Sequence, residues 1–277
     1  MILAAMTTMA SCTHQAEKFD EDGMLLDSMV IMTADGSIVA RDLFTYDSDS
    51  NLISYTELCR SRFNDGMDTT EQVITTYDTI GNELTTILIQ RDDTVTTRNE
   101  TEYTYDTAHR RSGCNIRQTG DEGEIVQRTE FKYDAQGNHI ETTGYMLEGE
   151  DWIADSRIVN SYDEAGRATG AELQINVGDT AEWQSISGER YTYDTEGWLT
   201  ERTETAYGQK VRSEMKYDEA GNLTTMQTYS YNEAEDKWEP MELTITTYGE
   251  KEKKEQVFAY TDDGEMGLEC TRMYYYR

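Results

Sequence analysis

Three histidines, four cysteines and a surplus of carboxylates are the residues of this 277-residue chain that could do chemistry. Acid–base or nucleophilic catalysis needs such groups gathered into a constellation. His14 lies near the start, whereas His109 and His139 fall at or beside turn-like stretches. His109 stands where a glycine is expected, and histidine tolerates positive φ, so its role is read as structural. No serine sits in a G-x-S-x-G elbow, and neither H-E-x-x-H nor a P-loop occurs. Carboxylate pairs are everywhere, which makes none of them diagnostic. The stretches "DSDSN" at 47–51 and "DEDG" at 20–23 are oxygen-rich enough to suggest calcium, but neither continues to a distal Glu. Their aspartates are read as turn caps. Cys59, Cys114 and Cys270 fit no zinc spacing, and three thiols cannot all pair within one chain. The expectation is a protein with no catalytic residue, no metal and no cofactor.

The elements that would position any site are strands. Nineteen Tyr and four Trp against a single Pro favour a pleated, half-buried surface. No run of apolar residues at helical spacing stands out. With 36 % hydrophobic residues the core is expected to be thin. Asp and Glu outnumber Lys and Arg by 55 to 24, a net charge of −31, and such a surface repels phosphate backbones and anionic bilayers. Nucleic acid is thereby excluded as a direct partner, and a membrane enters only through an anchor.

That anchor has a candidate. The opening "MILAAMTTMASC" resembles the end of a bacterial lipoprotein signal, in which small residues precede the cysteine that is lipidated. Residues 1–12 are read as a partial signal ending in Cys12, 13–18 as a linker and 19–277 as the folded domain. Met9 stands where such signals prefer Leu, and no Lys or Arg precedes the apolar run. Thr13 after the cysteine is similar to lipoproteins sorted to an outer membrane.

A repeat organises the rest. Tyr46, Tyr77, Tyr105, Tyr133, Tyr162, Tyr193 and Tyr217 each precede Asp, at separations of 31, 28, 28, 29, 31 and 24 residues, with a degenerate copy at Tyr248. Glycine follows four positions later at Gly81, Gly137, Gly166, Gly197 and Gly221. This is the spacing of a hairpin built on a type I turn and a G1 bulge, where Asp caps the turn and glycine takes positive φ. Covert copies end at Gly23, Gly36 and Gly264. The turn requires each tyrosine to oppose the residue six positions on, pairing Met32 with Ile38, Tyr46 with Leu52, Tyr193 with Leu199, Tyr217 with Leu223 and Tyr260 with Met266. Short connections permit only antiparallel neighbours. The expected fold is all-β, an antiparallel meander of tandem hairpins, about 18–20 strands forming a curved or spiralling sheet. Trp152, Trp183 and Trp238 each lie ten residues before a unit tyrosine, which on an unbroken strand puts both rings on one face. They are read as caps of the apolar layer or as a row for stacking a ligand such as a sugar.

The pattern in "RYTYDTEGWL" and "MKYDEAGNL" resembles the YD repeats of Rhs-type proteins, teneurins and insecticidal toxin complexes, over roughly residues 19 to 277. The form "YSYNEAEDKWEPMELTITTYG" looks closer to repeat lipoproteins of Bacteroides-like bacteria. The resemblance implies a β-hairpin spiral, and the chain is too short to enclose a toxin as the large relatives do. Together these readings predict an exported, lipid-anchored outer-membrane or cell-surface protein, otherwise periplasmic or secreted. It would bind a protein or glycan through its sheet, or alternatively serve as an envelope scaffold without a specific ligand.

Overall fold

A computed structural model describes residues 24–277 apart from 63, 93–94, 121–122, 179–181 and 262. The proposed signal, its Cys12, His14 and the Gly23 turn lie outside the described residues. The chain forms β1 (Leu26–Thr33), β2 (Ile38–Tyr46), β3 (Leu52–Arg60), β4 (Met67–Tyr77), β5 (Glu83–Arg91), β6 (Thr96–Tyr105), β7 (Arg111–Gly120), β8 (Gly123–Tyr133) and β9 (His139–Glu148). It continues as β10 (Asp151–Tyr162), β11 (Ala168–Asn176), β12 (Trp183–Tyr193), β13 (Leu199–Ala206), β14 (Gln209–Tyr217), β15 (Leu223–Asn232), β16 (Lys237–Tyr248), β17 (Glu252–Tyr260) and β18 (Met266–Tyr276).

Every strand pairs antiparallel with the next, and β18 pairs with β1, so the meander is an 18-stranded closed barrel. The expected curved or spiralling open sheet is therefore corrected. A turn dictates how two neighbours align, whereas closure depends on the offsets accumulated around all eighteen strands. Closing the ring also removes the two unpaired edges that an open sheet of this width would expose.

The turns follow the expected chemistry. In the copy at Asp78, the Gly81 N–H donates to the Asp78 carbonyl and the Asp78 N–H to the Asn82 carbonyl. The Asp78 carboxylate accepts from the N–H groups of Ile80 and Asn82 and from the Asn82 side chain. At Asp106 and Asp163 an arginine, Arg110 or Arg167, replaces that side-chain amide at 2.8 Å. Ser50 and His109 adopt the left-handed backbone at the glycine position, with φ of 66° and 61°. Each expected pair across a turn within the described residues is present, Tyr46–Leu52, Tyr193–Leu199 and Tyr217–Leu223 among them.

Alternation assigns the two faces of the wall. Along β2, Ala40 and Asp42 are buried while Arg41 and Leu43 are exposed, and along β8 Thr129 is buried between exposed Arg128 and half-buried Glu130. Side chains converge on the concave side of a curved sheet, so the buried set faces the lumen, and the register places the half-buried unit tyrosines Tyr46 to Tyr217 on the same side. The "MTADG" and "YTDDG" turns lie at the opposite rim from the YD turns. Their pairs, Met32–Ile38 and Tyr260–Met266, fall on the outer face, where Ile38 and Met266 are exposed.

Eighteen strands about 4.8 Å apart make a perimeter of about 86 Å and a backbone radius of about 14 Å before tilt widens it. Val257 is the one large side chain under 2 % exposed among the described residues. Opposite walls therefore do not interdigitate, and the apolar layer is a lining around an open lumen.

Candidate functional site

The lumen is built from alternate residues of all strands. Its apolar lining includes Phe44, Leu88, Ile116, Phe131, Ile158 and Leu173, whose cross-strand partners share the inner face. At the YD rim the unit tyrosines form a girdle. The hydroxyls of Tyr46, Tyr77, Tyr105, Tyr133, Tyr162, Tyr193 and Tyr217 donate to the carbonyls of Leu26, Leu52, Glu83, Arg111, His139, Ala168 and Leu199, at 2.8–2.9 Å. Tyr248 does the same to Leu223 at 3.0 Å. From Tyr77 onward, each accepting residue is the cross-turn partner of the preceding tyrosine, so one hairpin is stapled to the next. Burial raises the pKa of Tyr46, Tyr77, Tyr105, Tyr133, Tyr162 and Tyr217, that of Tyr77 to about 12, which keeps the donating proton in place. Sequence reading found the tyrosines and missed their hydroxyls, because the acceptor sits on the neighbouring hairpin.

Lumenal charge is mostly matched. Glu83 pairs with Arg111 at 2.6 Å, Glu189 with Arg202 at 2.7 Å, and Glu255 with Lys253 and Arg272 at 3.3 and 3.5 Å. Arg111 also lies 4.1 Å over the Tyr103 ring, which explains an arginine opposite Tyr105. His139, opposite Tyr133, packs between the Tyr133 and Phe131 rings and is bonded to Thr142 at 2.9 Å. Burial lowers its pKa. A different arrangement holds at Asp42, Glu57 and Glu71, which occupy one row of the inner wall on β2, β3 and β4. Asp42 is 5 % exposed, and its Oδ1 has no hydrogen-bond partner. Burial, then Glu57, pushes its pKa up to about 6 against a smaller pull from the Tyr55 hydroxyl.

Trp152, Trp183 and Trp238 lie on the outer face, opposite to Tyr162, Tyr193 and Tyr248. The strands between them are not unbroken: bulges at Asp155, Ile186 and Met241 each insert one residue and reverse the alternation. Arg157 sits 4.4 Å over the Trp183 ring and Arg212 4.8 Å over the Trp238 ring. Trp183 on β12 and Trp238 on β16 are four strands apart, about 19 Å along the wall, so the three rings form no single row. Trp152 borders a shallow outer groove of about 400 Å³ over Gly113, with Asn115, Arg128, Glu130 and Lys132. Gly81, Gly137, Gly166, Gly197 and Gly221 occupy the turns with φ between 78° and 94°. Among the described residues no disulfide joins Cys59, Cys114 or Cys270. The Asp47 carboxylate of "DSDSN" accepts from Asp49 and Asn51 within its own turn. Among the described residues no group of three His, Cys, Asp or Glu side chains could hold a metal ion.

The outer face carries charge at mid-height on several strands, including the pairs Arg98–Glu100, Arg128–Glu130 and Arg212–Glu214. A charge facing the middle of a bilayer costs about 2–4 kcal/mol for Arg or Lys, so these strands are built to face water. No helix among the described residues is long and apolar enough to cross a membrane.

No family model matches the chain, and no curated protein matches it. Among solved structures it is similar to a porin-like protein from Bacteroides uniformis, at 11 % identity and a TM-score of 0.47, over 91 % of this chain and 96 % of that one. It is also similar to TcdB2-TccC3, at 14 % identity and a TM-score of 0.34, over 83 % of this chain and 14 % of that one. A protein of unknown function from Bacteroides fragilis aligns at 12 % identity and a TM-score of 0.25, over 64 % of this chain and 93 % of that one. None of these likenesses is near enough to carry a functional argument.

Proposed function

We propose that the protein is a non-catalytic binding barrel of the bacterial envelope that holds an apolar or amphipathic guest in its lumen. The observation that carries this reading is the mixed inner wall: Phe44, Leu88, Ile116, Phe131, Ile158 and Leu173 face an open interior beside matched ion pairs such as Glu83–Arg111 and Glu189–Arg202. A barrel fits a cell-surface or envelope protein, and the YD-type turns and lipobox-like Cys12 support an exported, lipid-anchored short relative of YD-repeat proteins. The test is fluorescence of an apolar dye such as N-phenylnaphthylamine on titration with the protein. Enhancement is expected, and Leu88→Arg combined with Ile158→Arg should abolish it without loss of the β-sheet signal. No enhancement with the unaltered protein would reject the lumen as a binding chamber.

A second reading rests on the groove over Gly113. Its polar lining and the Trp152 ring suit a glycan or protein bound on the outer wall. Glycan-array binding lost in Trp152→Ala would support it, and a blank array would remove the glycan.

A further inference from the structure

Asp42, Glu57 and Glu71 stand on adjacent strands, side by side on the inner wall, as Asp42↔Glu57 and Glu57↔Glu71 cross-strand pairs. Neighbouring carboxylates repel, and elsewhere on the same wall Glu83, Glu189 and Glu255 are each matched by Arg or Lys within 4 Å. The groups facing Asp42 are Met29 from β1 and Glu57, Tyr55 and Cys59 from β3, with Glu71 beyond them on β4. None is a cation. Glu57 accepts from the Cys59 thiol at 2.9 Å, and Glu71 from the Gln90 amide at 2.9 Å. Asp42 keeps an unpartnered Oδ1 although only 5 % of the residue is exposed. Leaving a buried carboxylate oxygen without a donor is costly, and a ligand supplying N–H donors and positive charge would answer it.

The geometry of the row selects the cation. A metal ion needs its oxygens about 2.0–2.6 Å from one point, and these carboxylates do not converge so tightly. An ammonium group reaches acceptors at about 2.8 Å in three directions. One row toward the YD rim lie Phe44 and Tyr55, with ring centroids 5.3 Å apart, followed on the same row by Val73 and Leu88. Aromatic faces attract an ammonium, and the aliphatic pair continues the surface for a chain.

From this juxtaposition we infer that the barrel binds the ammonium group of an amine-bearing amphiphile at Asp42, Glu57 and Glu71, with its apolar chain along Phe44, Tyr55 and Leu88. The inference rests on the lumen being the binding chamber. Three ligands of equal chain length separate the two: decylammonium, decanoate and decanol, each below its aggregation threshold, displacing N-phenylnaphthylamine at pH 7.5. The net charge of −31 attracts any cation, so the measurements are made in 0.5 M salt, which screens exposed charge beyond a few ångströms. Decylammonium is expected to bind at least tenfold more tightly than decanoate and decanol. In Asp42→Asn combined with Glu57→Gln, that preference should fall to within about twofold while decanol binding is unchanged. Equal affinities in the unaltered protein, or a preference that survives the double substitution, would overturn the ammonium site and leave the chamber standing. Failure of all three ligands to displace the dye would overturn both.

Discussion

Replacing Asp42 by asparagine is expected to stabilise the barrel at neutral pH and to leave it unchanged in acid. The carboxyl is 5 % exposed and its pKa rises from 3.8 to about 6, through burial and then through Glu57. A raised value means that the folded protein keeps this proton after the unfolded chain has released it. Below pH 3.8 both states are protonated and the group contributes nothing. Between there and about pH 6 stability falls as pH rises, and above that the whole penalty is present. The rise corresponds to about 3 kcal/mol. A chain of this size shifts its Tm by roughly 2–4 °C per kcal/mol, so Asp42→Asn should melt about 6–12 °C higher at pH 7.5. Thermal unfolding followed by circular dichroism from pH 3.5 to 8 measures this directly. The two curves should meet near the acid end and separate through pH 4–6. A constant offset at every pH would show that packing, not ionisation, sets the difference. A loss of stability at pH 7.5 would refute the reasoning.

Other perturbations test the wall. Gly221→Ala should destabilise more than Gly137→Ala: both positions have φ above 90°, but a Cβ at Gly221 would lie 2.5 Å from the Trp198 ring, while Gly137 has open space. Equal melting temperatures would contradict the stacking of Trp198 on Tyr217. Tyr133→Phe removes the hydroxyl bonded to the Arg111 carbonyl, and should cost about 1 kcal/mol by chemical denaturation. Arg157→Ala uncovers Trp183, and the increase in acrylamide quenching should be absent when Arg190, on the same strand, is changed instead. In a protein carrying a complete export signal, labelled palmitate should disappear with Cys12→Ala, and persistent label would remove the anchor.

Local chemistry was legible in the sequence where a turn dictated it. The Asp and Gly spacing gives the register at Tyr46, Tyr193 and Tyr217, and even at copies with unlikely partners, such as Tyr105 opposite Arg111 and Tyr133 opposite His139. The partners themselves were opaque, since Arg111 is placed by Glu83 two strands away. The even spacing puts each tryptophan on the face of its unit tyrosine only along an unbroken strand, and the bulges at Asp155, Ile186 and Met241 leave no mark in the sequence because the inserted residues look like ordinary strand residues. Closure was invisible for a related reason: β1 and β18 are joined by no turn, so no motif announces their pairing. The row of Asp42, Glu57 and Glu71 was hidden among 55 acidic residues, and only the shared inner face brings its members together.

The seam between the first and last strands has a consequence for assembly. The Leu25 and Arg277 backbones exchange hydrogen bonds at 3.1 and 3.0 Å, so both ends of the described chain meet at one place on the rim. Each hairpin can form locally, yet β1 waits for a partner seventeen strands further along the chain. Circular permutation offers a way to move that wait: a short linker across the seam and new ends in a far turn would give the same ring a different final strand to zip.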